Sequence, residues 1–277
     1  MTARPLRKAF GSATTIIGFA LTVAISLVTI FAPVVAPHDP YQQKVTARLQ
    51  GPSAEHLFGT DRLGRDILSR TIYAGRVSLL VGIASVALSA ALGTIAGMYA
   101  TLKRGRAEAI LLGAIDIAMS FPTFLLCLLL IVVFGQSLSG IVLAIGFSLT
   151  PRFARLSRGP TLALRDAEFV EAAGALGAGL GRVTLLHVLP NIAGPIGVVA
   201  VLWVATAIRI EASLSFLGLG VQPPTPTWGN MIEEGFRSMT FAPTVSLYPG
   251  AAIFLLVLGL NMLSDGMRDV MDPRQQI

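Results

Sequence analysis

The sequence predicts an all-α integral membrane protein with six transmembrane helices. Three observations predict it. Apolar residues make up 53% of the 277 positions and gather into long runs almost free of charge. Charged residues make up only 13%, where a soluble domain carries about 25%. The period-two alternation that spanning strands require is absent. As a helix, a bilayer crossing takes about 20 apolar residues.

The first run, 14–36, carries no charge and ends at Pro33 and Pro37. It follows the basic stretch MTARPLRKAF. It exceeds the roughly 7–15 residues of a signal-peptide core, and no small-residue cleavage pattern is evident, so it is expected to be the first spanning helix. The second run is 77–102. Between them lies DRLGRDILSRTIYAGR, 61–76, in which Arg62, Arg65, Ser69, Tyr73 and Arg76 share one helical face. Asp61–Arg65 and Asp66–Arg70 are spaced as i,i+4 ion pairs. The pattern fits an amphipathic helix on the membrane surface, or a solvated loop helix. Residues 1–76 therefore read as an N-terminal segment and 77–277 as a core with five further spans.

The third run, 109–134, is interrupted by Asp116 and Pro122. A fourth, about 135–151, is short and runs into Pro151 and Arg152. A fifth lies within 183–217 and a sixth near 246–263. Residues 152–191 are too charged and too broken to span. From about 161 to 176 their composition favours helix, and Gly177, Gly179 and Gly181 then break it. A second short helix, 183–190, is expected to stop at Pro190, with the spanning helix starting near Ile192 or Gly194. Two short helices joined at glycines make a knob that cannot bury its own apolar side. It either rests on the bilayer or docks into another protein.

Isolated features add constraints. Arg4, Arg7, Lys8, Lys103, Arg104, Arg106, Arg152, Arg155, Arg158, Arg165, Arg182, Arg268 and Arg274 fall inside if the N-terminus is inside, which is 13 of the 21 basic residues. That bias favours both termini on the cytoplasmic face. Topology therefore explains the net charge of +6 better than nucleic acid binding does. Cys127 is the single cysteine, so no disulfide forms within the chain. His38, His56 and His187 are far apart in sequence and read as structural or interfacial residues, not metal ligands. Gly93 and Gly97 form a GxxxG, a spacing that lets helices approach closely. Asp116 inside an apolar run is either an ion carrier or a structural carboxylate paired with a nearby arginine. Arg209 and Glu211 pair with each other or with another subunit, and are candidates for the path or its outer gate. No P-loop, HExxH or GxSxG is present, so the chain is not expected to be an enzyme.

EAAGALG (171–177), followed by nine residues and then HVLP (187–190), resembles the EAA loop of ABC-importer permeases. Glu171, Ala172, Ala173, Gly177, Leu189 and Pro190 match that motif. HLFGTDRLGRDILSRTIYAGRVSL (56–79), EASLSFLGLGVQPPTPTWGNMI (211–232) and NMLSDGMRDVMDPR (261–274) resemble the C-type permease of dipeptide and oligopeptide importers. Ser264 stands where the tail motif usually has glycine, and Thr244 where a tryptophan commonly follows proline. The resemblance implies a type I importer permease fold in the bacterial inner membrane, with a cytoplasmic coupling loop at 165–190. It implies a second homologous permease completing the path, and an extracytoplasmic solute-binding protein delivering substrate. Two cytoplasmic ATPase subunits would bind ATP and Mg, with no cofactor in this chain. Glu171 would contact the ATPase and Gly177 would form the turn. The alternative is an ion-coupled secondary transporter with Asp116 as carrier.

Overall fold

The computed structural model describes residues 12–103 and 105–271. Arg4, Arg7, Lys8, Arg104 and Arg274, counted in the charge bias, lie outside the described residues. Among the described residues there is no strand, only one isolated bridge between Thr60 and Asp66. The principal helices are α1 (Ala13–Ile30), α2 (Ile67–Lys103), α3 (Gly105–Ser120), α4 (Thr123–Phe134), α5 (Leu138–Arg165), α6 (Glu168–Ala175), α7 (Leu180–Phe216), α8 (Trp228–Phe236) and α9 (Thr244–Met271).

Four of these, α1, α2, α7 and α9, are long and apolar enough to cross a membrane. The expected third span is two helices, α3 and α4, meeting at 97°. Pro122 causes the break, because proline disfavours the helical conformation of the residue before it. If the bent pair counts as one span, the number rises to five.

The fourth expected run departs most from the sequence reading. α5 starts at a Ser137 N-cap, whose Oγ accepts the Gly140 N–H at 3.0 Å. It does not stop at Pro151 but carries Pro151 and Pro160 inside 28 residues. A proline deletes one helical hydrogen bond, which packing and Ser/Thr side chains can offset at membrane depth. Ser148 and Thr150 donate their hydroxyls to Ala144 O and Gly146 O, not to the Phe147 carbonyl that Pro151 leaves free, so it is the packing of the buried Pro151 turn that carries the loss.

α2 is the central helix. At 37 residues it is about 55 Å long. It packs along α5 and crosses α7. A Cβ on Gly93 would lie 2.7 Å from Phe153 Cβ, and one on Gly97 would overlap the Ala154 carbonyl. The GxxxG is thus the contact where α2 and α5 backbones touch. We expect Gly97→Leu to cost about 3 kcal/mol through overpacking, read as a lower thermal midpoint of the purified protein. An unchanged midpoint would refute this packing.

Two apolar clusters form the core. One joins α2, α5 and α7 through Met98, Ile145, Leu149, Phe153 and Ile192. The other joins the start of α2 to α7, α8 and α9 through Ile67, Ala74, Ile208, Trp228 and Leu256. The segment read as a separate surface helix, 61–76, belongs to this second region. From Ile67 onward it is continuous with the rest of α2, and position 76 lies within that helix.

Candidate functional site

The segment 165–190 forms a knob, assembled differently from the sequence reading. The first short helix is not 161–176. α5 runs to Arg165, the chain turns at Asp166 and Ala167, and α6 covers Glu168–Ala175. Gly177 has φ +82°. Its N–H donates to Gly174 O at 2.9 Å, and the Ala178 N–H donates to Ala173 O at 3.0 Å. This pair of bonds closes the helix with a left-handed glycine cap.

The next helix does not stop at Pro190. Val183–Val188 is a π-helical turn, in which the Leu189 N–H reaches Thr184 O. Pro190 lies in the first turn of the helix that follows. A proline there gives up an N–H that the wider turn does not need. The second short helix and the fifth span are therefore one continuous helix, α7.

α6 tucks Val170 and Ala173 inward. Its other face leaves Glu168, Phe169, Glu171 and Ala172 exposed, along with Gly177 and Pro190 nearby, while Leu189 is half-buried. Leu176, at the helix end, is 89% exposed. Leu185 and Leu186 of the π turn are exposed as well. The knob thus presents large apolar side chains flanked by two glutamates. Of these, Phe169, Leu176, Leu185 and Leu186 escaped the motif reading, because a motif marks fixed letters and not exposure.

Ion pairs hold the stem of the knob. Arg158 lies 3.5 Å and Arg165 3.9 Å from Glu108 of α3. Arg155 pairs with Asp116, so Asp116 is the structural carboxylate of the two sequence readings. Arg152 donates to Thr123 Oγ1 at 2.7 Å and stacks over Trp203 at 5.2 Å.

At the other end of α2 lies a denser cluster. Arg65 Nε donates to Asp61 at 2.6 Å and its Nη2 to Glu234 at 2.9 Å. Arg70 bridges the same two carboxylates, reaching Glu234 at 2.7 Å. The Asp61–Arg65 pair is as expected, but Arg70 does not pair with Asp66. Asp66 instead accepts from His56 Nδ1 and from the Ser69 N–H. Asp61, Arg65, Asp66 and Arg70 are all buried, so the face is not laid on a membrane surface: Arg65 and Arg70 reach Glu234 of α8 and Asp66 faces His56, while Arg62 and Arg76 alone of the predicted arginines stay exposed. Glu234 is separated from Arg65 by 169 residues. Two adjacent acids in the apolar stretch NMIEEGF were the only signal for it.

Arg209 and Glu211 do not pair. Glu211 is fully buried and accepts from Ser78 Oγ at 3.0 Å and Ser215 Oγ at 2.8 Å. There it ties α7 to α2 through Ser78, whose Oγ also accepts the backbone N–H of Trp228 at the start of α8 at 3.4 Å, while the Trp228 indole N–H donates to Thr71 O. Arg209 is exposed and donates to Thr206 Oγ1. Ser213 and Phe216 follow on its face of α7 and line a groove of about 450 Å³ with Phe124 and Ile232.

The chain was then compared with known proteins. Residues 89–277 match the family described as binding-protein-dependent transport system inner membrane component. The chain belongs to this family. Residues 9–52 of the permease match the N-terminal TM domain of oligopeptide transport permease C. It is 40% identical over 261 residues to the dipeptide transport system permease protein of Alkalihalophilus pseudofirmus, covering 94% of this chain and 86% of that relative. It is 40% identical over 253 residues to the glutathione transport system permease proteins of Escherichia coli O6:K15:H31 and Shigella boydii serotype 4, covering 91% of this chain and 84% of each. The permease is thus a membrane component of a binding-protein-dependent system. The ion-coupled alternative is set aside, and with it the carrier role of Asp116. Ser264, the departure in the tail motif, is fully buried and donates to Val198 O at 3.4 Å.

Proposed function

We propose that the chain is one permease half of an ATP-driven importer for small peptides or related solutes. The observation that carries this reading is the exposed knob of α6 and the π turn, with Phe169 and Leu176 outward beside Glu171. An exposed apolar patch rimmed by polar groups marks an interaction surface. Its partner is a cytoplasmic ATPase subunit. Two such subunits bind ATP and Mg, and their closure pushes the knob and switches the path between inward and outward access.

In this reading α5 supplies the sixth crossing and both termini are cytoplasmic, in the inner membrane of a bacterium. A second, homologous permease completes the path against the groove of Ser213 and Phe216, with Arg209 one turn away on the same face of α7. A solute-binding protein delivers cargo to the face that carries the Asp61–Glu234 cluster. Dipeptides and glutathione are the solutes named for the relatives, and both are short peptides with free carboxylates, which makes this class the first to test.

The test is Glu171→Arg in the complete transporter in proteoliposomes. Glu171 is exposed, so the exchange leaves the fold alone. Binding-protein-dependent uptake is expected to fall at least tenfold while basal ATP hydrolysis persists. Wild-type uptake would refute the role of Glu171 in coupling.

A further inference from the structure

Outside the transport machinery the fold gathers two histidines and an aspartate that are distant in sequence. His38 lies in the segment after α1, His56 in the loop before α2, and Asp66 just before α2. One donor atom from each lies within 4.8 Å of the other two. The two imidazole centroids are 4.8 Å apart. His56 and Asp66 are buried and His38 is half-buried. We propose that His38, His56 and Asp66 bind a transition-metal ion of the zinc class, which clips the segment after α1 to the start of α2.

The donor set suits that class. Imidazole nitrogen and carboxylate oxygen are both zinc ligands, at about 2.0–2.2 Å. At such bond lengths tetrahedral donors stand about 3.3 Å apart. His56 Nδ1 and Asp66 Oδ1 are already 2.9 Å apart, so the larger adjustment falls to the half-buried His38 ring. The supporting hydrogen bonds fit as well. His38 Nε2 lies 2.8 Å from the Glu55 carbonyl, which can only accept. That fixes the proton on Nε2 and leaves the Nδ1 lone pair free, the arrangement that orients a ligating histidine. The other oxygen of Asp66 accepts the Ser69 N–H at 2.8 Å, and the His38 N–H donates to Ser69 Oγ at 3.0 Å. Two of the three ligand residues are thus anchored to one residue of α2.

Binding replaces the proton shared by His56 Nδ1 and Asp66 with the ion. That proton passes to Nε2 of the same ring, so the imidazole stays neutral and no net proton is released. Glu55 Oε1, 4.0 Å from Nε2, stands ready to accept from it. Three protein ligands leave the fourth position for water.

The experiment uses the assembled transporter, purified without a histidine tag, stripped with chelator and titrated with ZnCl2 alone. Wild-type transporter is expected to bind one more equivalent of zinc than H38Q, and zinc to raise the thermal midpoint of the former only. H187Q, altered on α7 far from the cluster, is expected to match wild type. X-ray absorption on zinc-loaded H187Q, which contains all three ligands, is expected to show two imidazole donors at the added ion. Equal zinc stoichiometry in wild type and H38Q overturns the proposal, as does an added ion without imidazole donors.

Discussion

Replacing Arg70 with methionine is expected to cost about 3 kcal/mol of stability, one of the largest losses a single change in this chain will produce. Arg70 is 1% exposed and bridges Asp61, itself 1% exposed, to Glu234 on α8. Removing one partner of a buried ion pair leaves the remaining charges uncompensated, at about 3–5 kcal/mol. The lower end applies, because Arg65 still touches both carboxylates. Lysine is not a substitute, since a single ammonium cannot span two carboxylates as a guanidinium fork does. Trp228 reports the loss, because its indole N–H is held by Thr71 O one residue from Arg70. At about 2–4 °C per kcal/mol for a chain of this size, the fluorescence midpoint should fall by roughly 6–12 °C. R70M combined with Asp61→Asn should recover part of that fall, because one orphaned charge is gone. An R70M midpoint within about 2 °C of wild type would show that the cluster contributes little.

That cluster also shows what was legible in the sequence and what was not. The apolar runs gave the spanning middles of α1, α2, α7 and α9, because lipid demands continuous hydropathy whatever the tertiary contacts, but not their ends: α2 begins at Ile67, α7 at Leu180, and α9 continues to Met271. The GxxxG of Gly93 and Gly97 could be read because close backbone approach needs that spacing on any partner. The stretch 61–76 was misread because charge on a helix face signals water only when no partner is present. Its partner, Glu234, lies far along the chain, where no local period can reach it. Prolines misled twice. Pro151 and Pro190 are tolerated, the first by packing inside α5 and the second by the π turn ahead of it, while Pro122 does break the chain. The three differ in what surrounds them, which sequence does not display.

The knob divides along the same line. Gly177 was readable because a left-handed turn favours glycine, and the structure gives it φ +82°. Glu171 was named from a motif. Arg209 and Glu211 were named together as two charges near the end of an apolar run. Yet they point apart: Glu211 into serine hydroxyls, Arg209 to the surface. Residues two apart on a helix do not share a face, so their pairing was the weaker of the two options weighed.

The second large effect is expected at Leu176. A leucine that is 89% exposed at a helix end contributes almost nothing to the fold through burial. If it enters a groove on the ATPase, it removes apolar area from water worth about 1.5–3 kcal/mol, and central anchors of this kind reach 2 kcal/mol or more. Leu176→Lys separates the two readings of the knob. At the C-terminal end of α6 a lysine is favoured by the helix dipole, so the helix itself is not weakened. Where the knob merely rests on lipid, the lysine stem stays in the apolar layer and its ammonium reaches the headgroups at little cost. Inside a protein groove the same ammonium is desolvated without a partner, a loss of several kcal/mol. In the docking reading L176K should insert and fold as wild type does, yet hold the ATPase subunits at least thirtyfold more weakly, since each 1.4 kcal/mol is tenfold. Uptake would fall with it, while Leu176→Met, similar in volume and equally apolar, would transport normally. Wild-type ATPase retention and uptake by L176K would mean that this face of α6 lies against lipid.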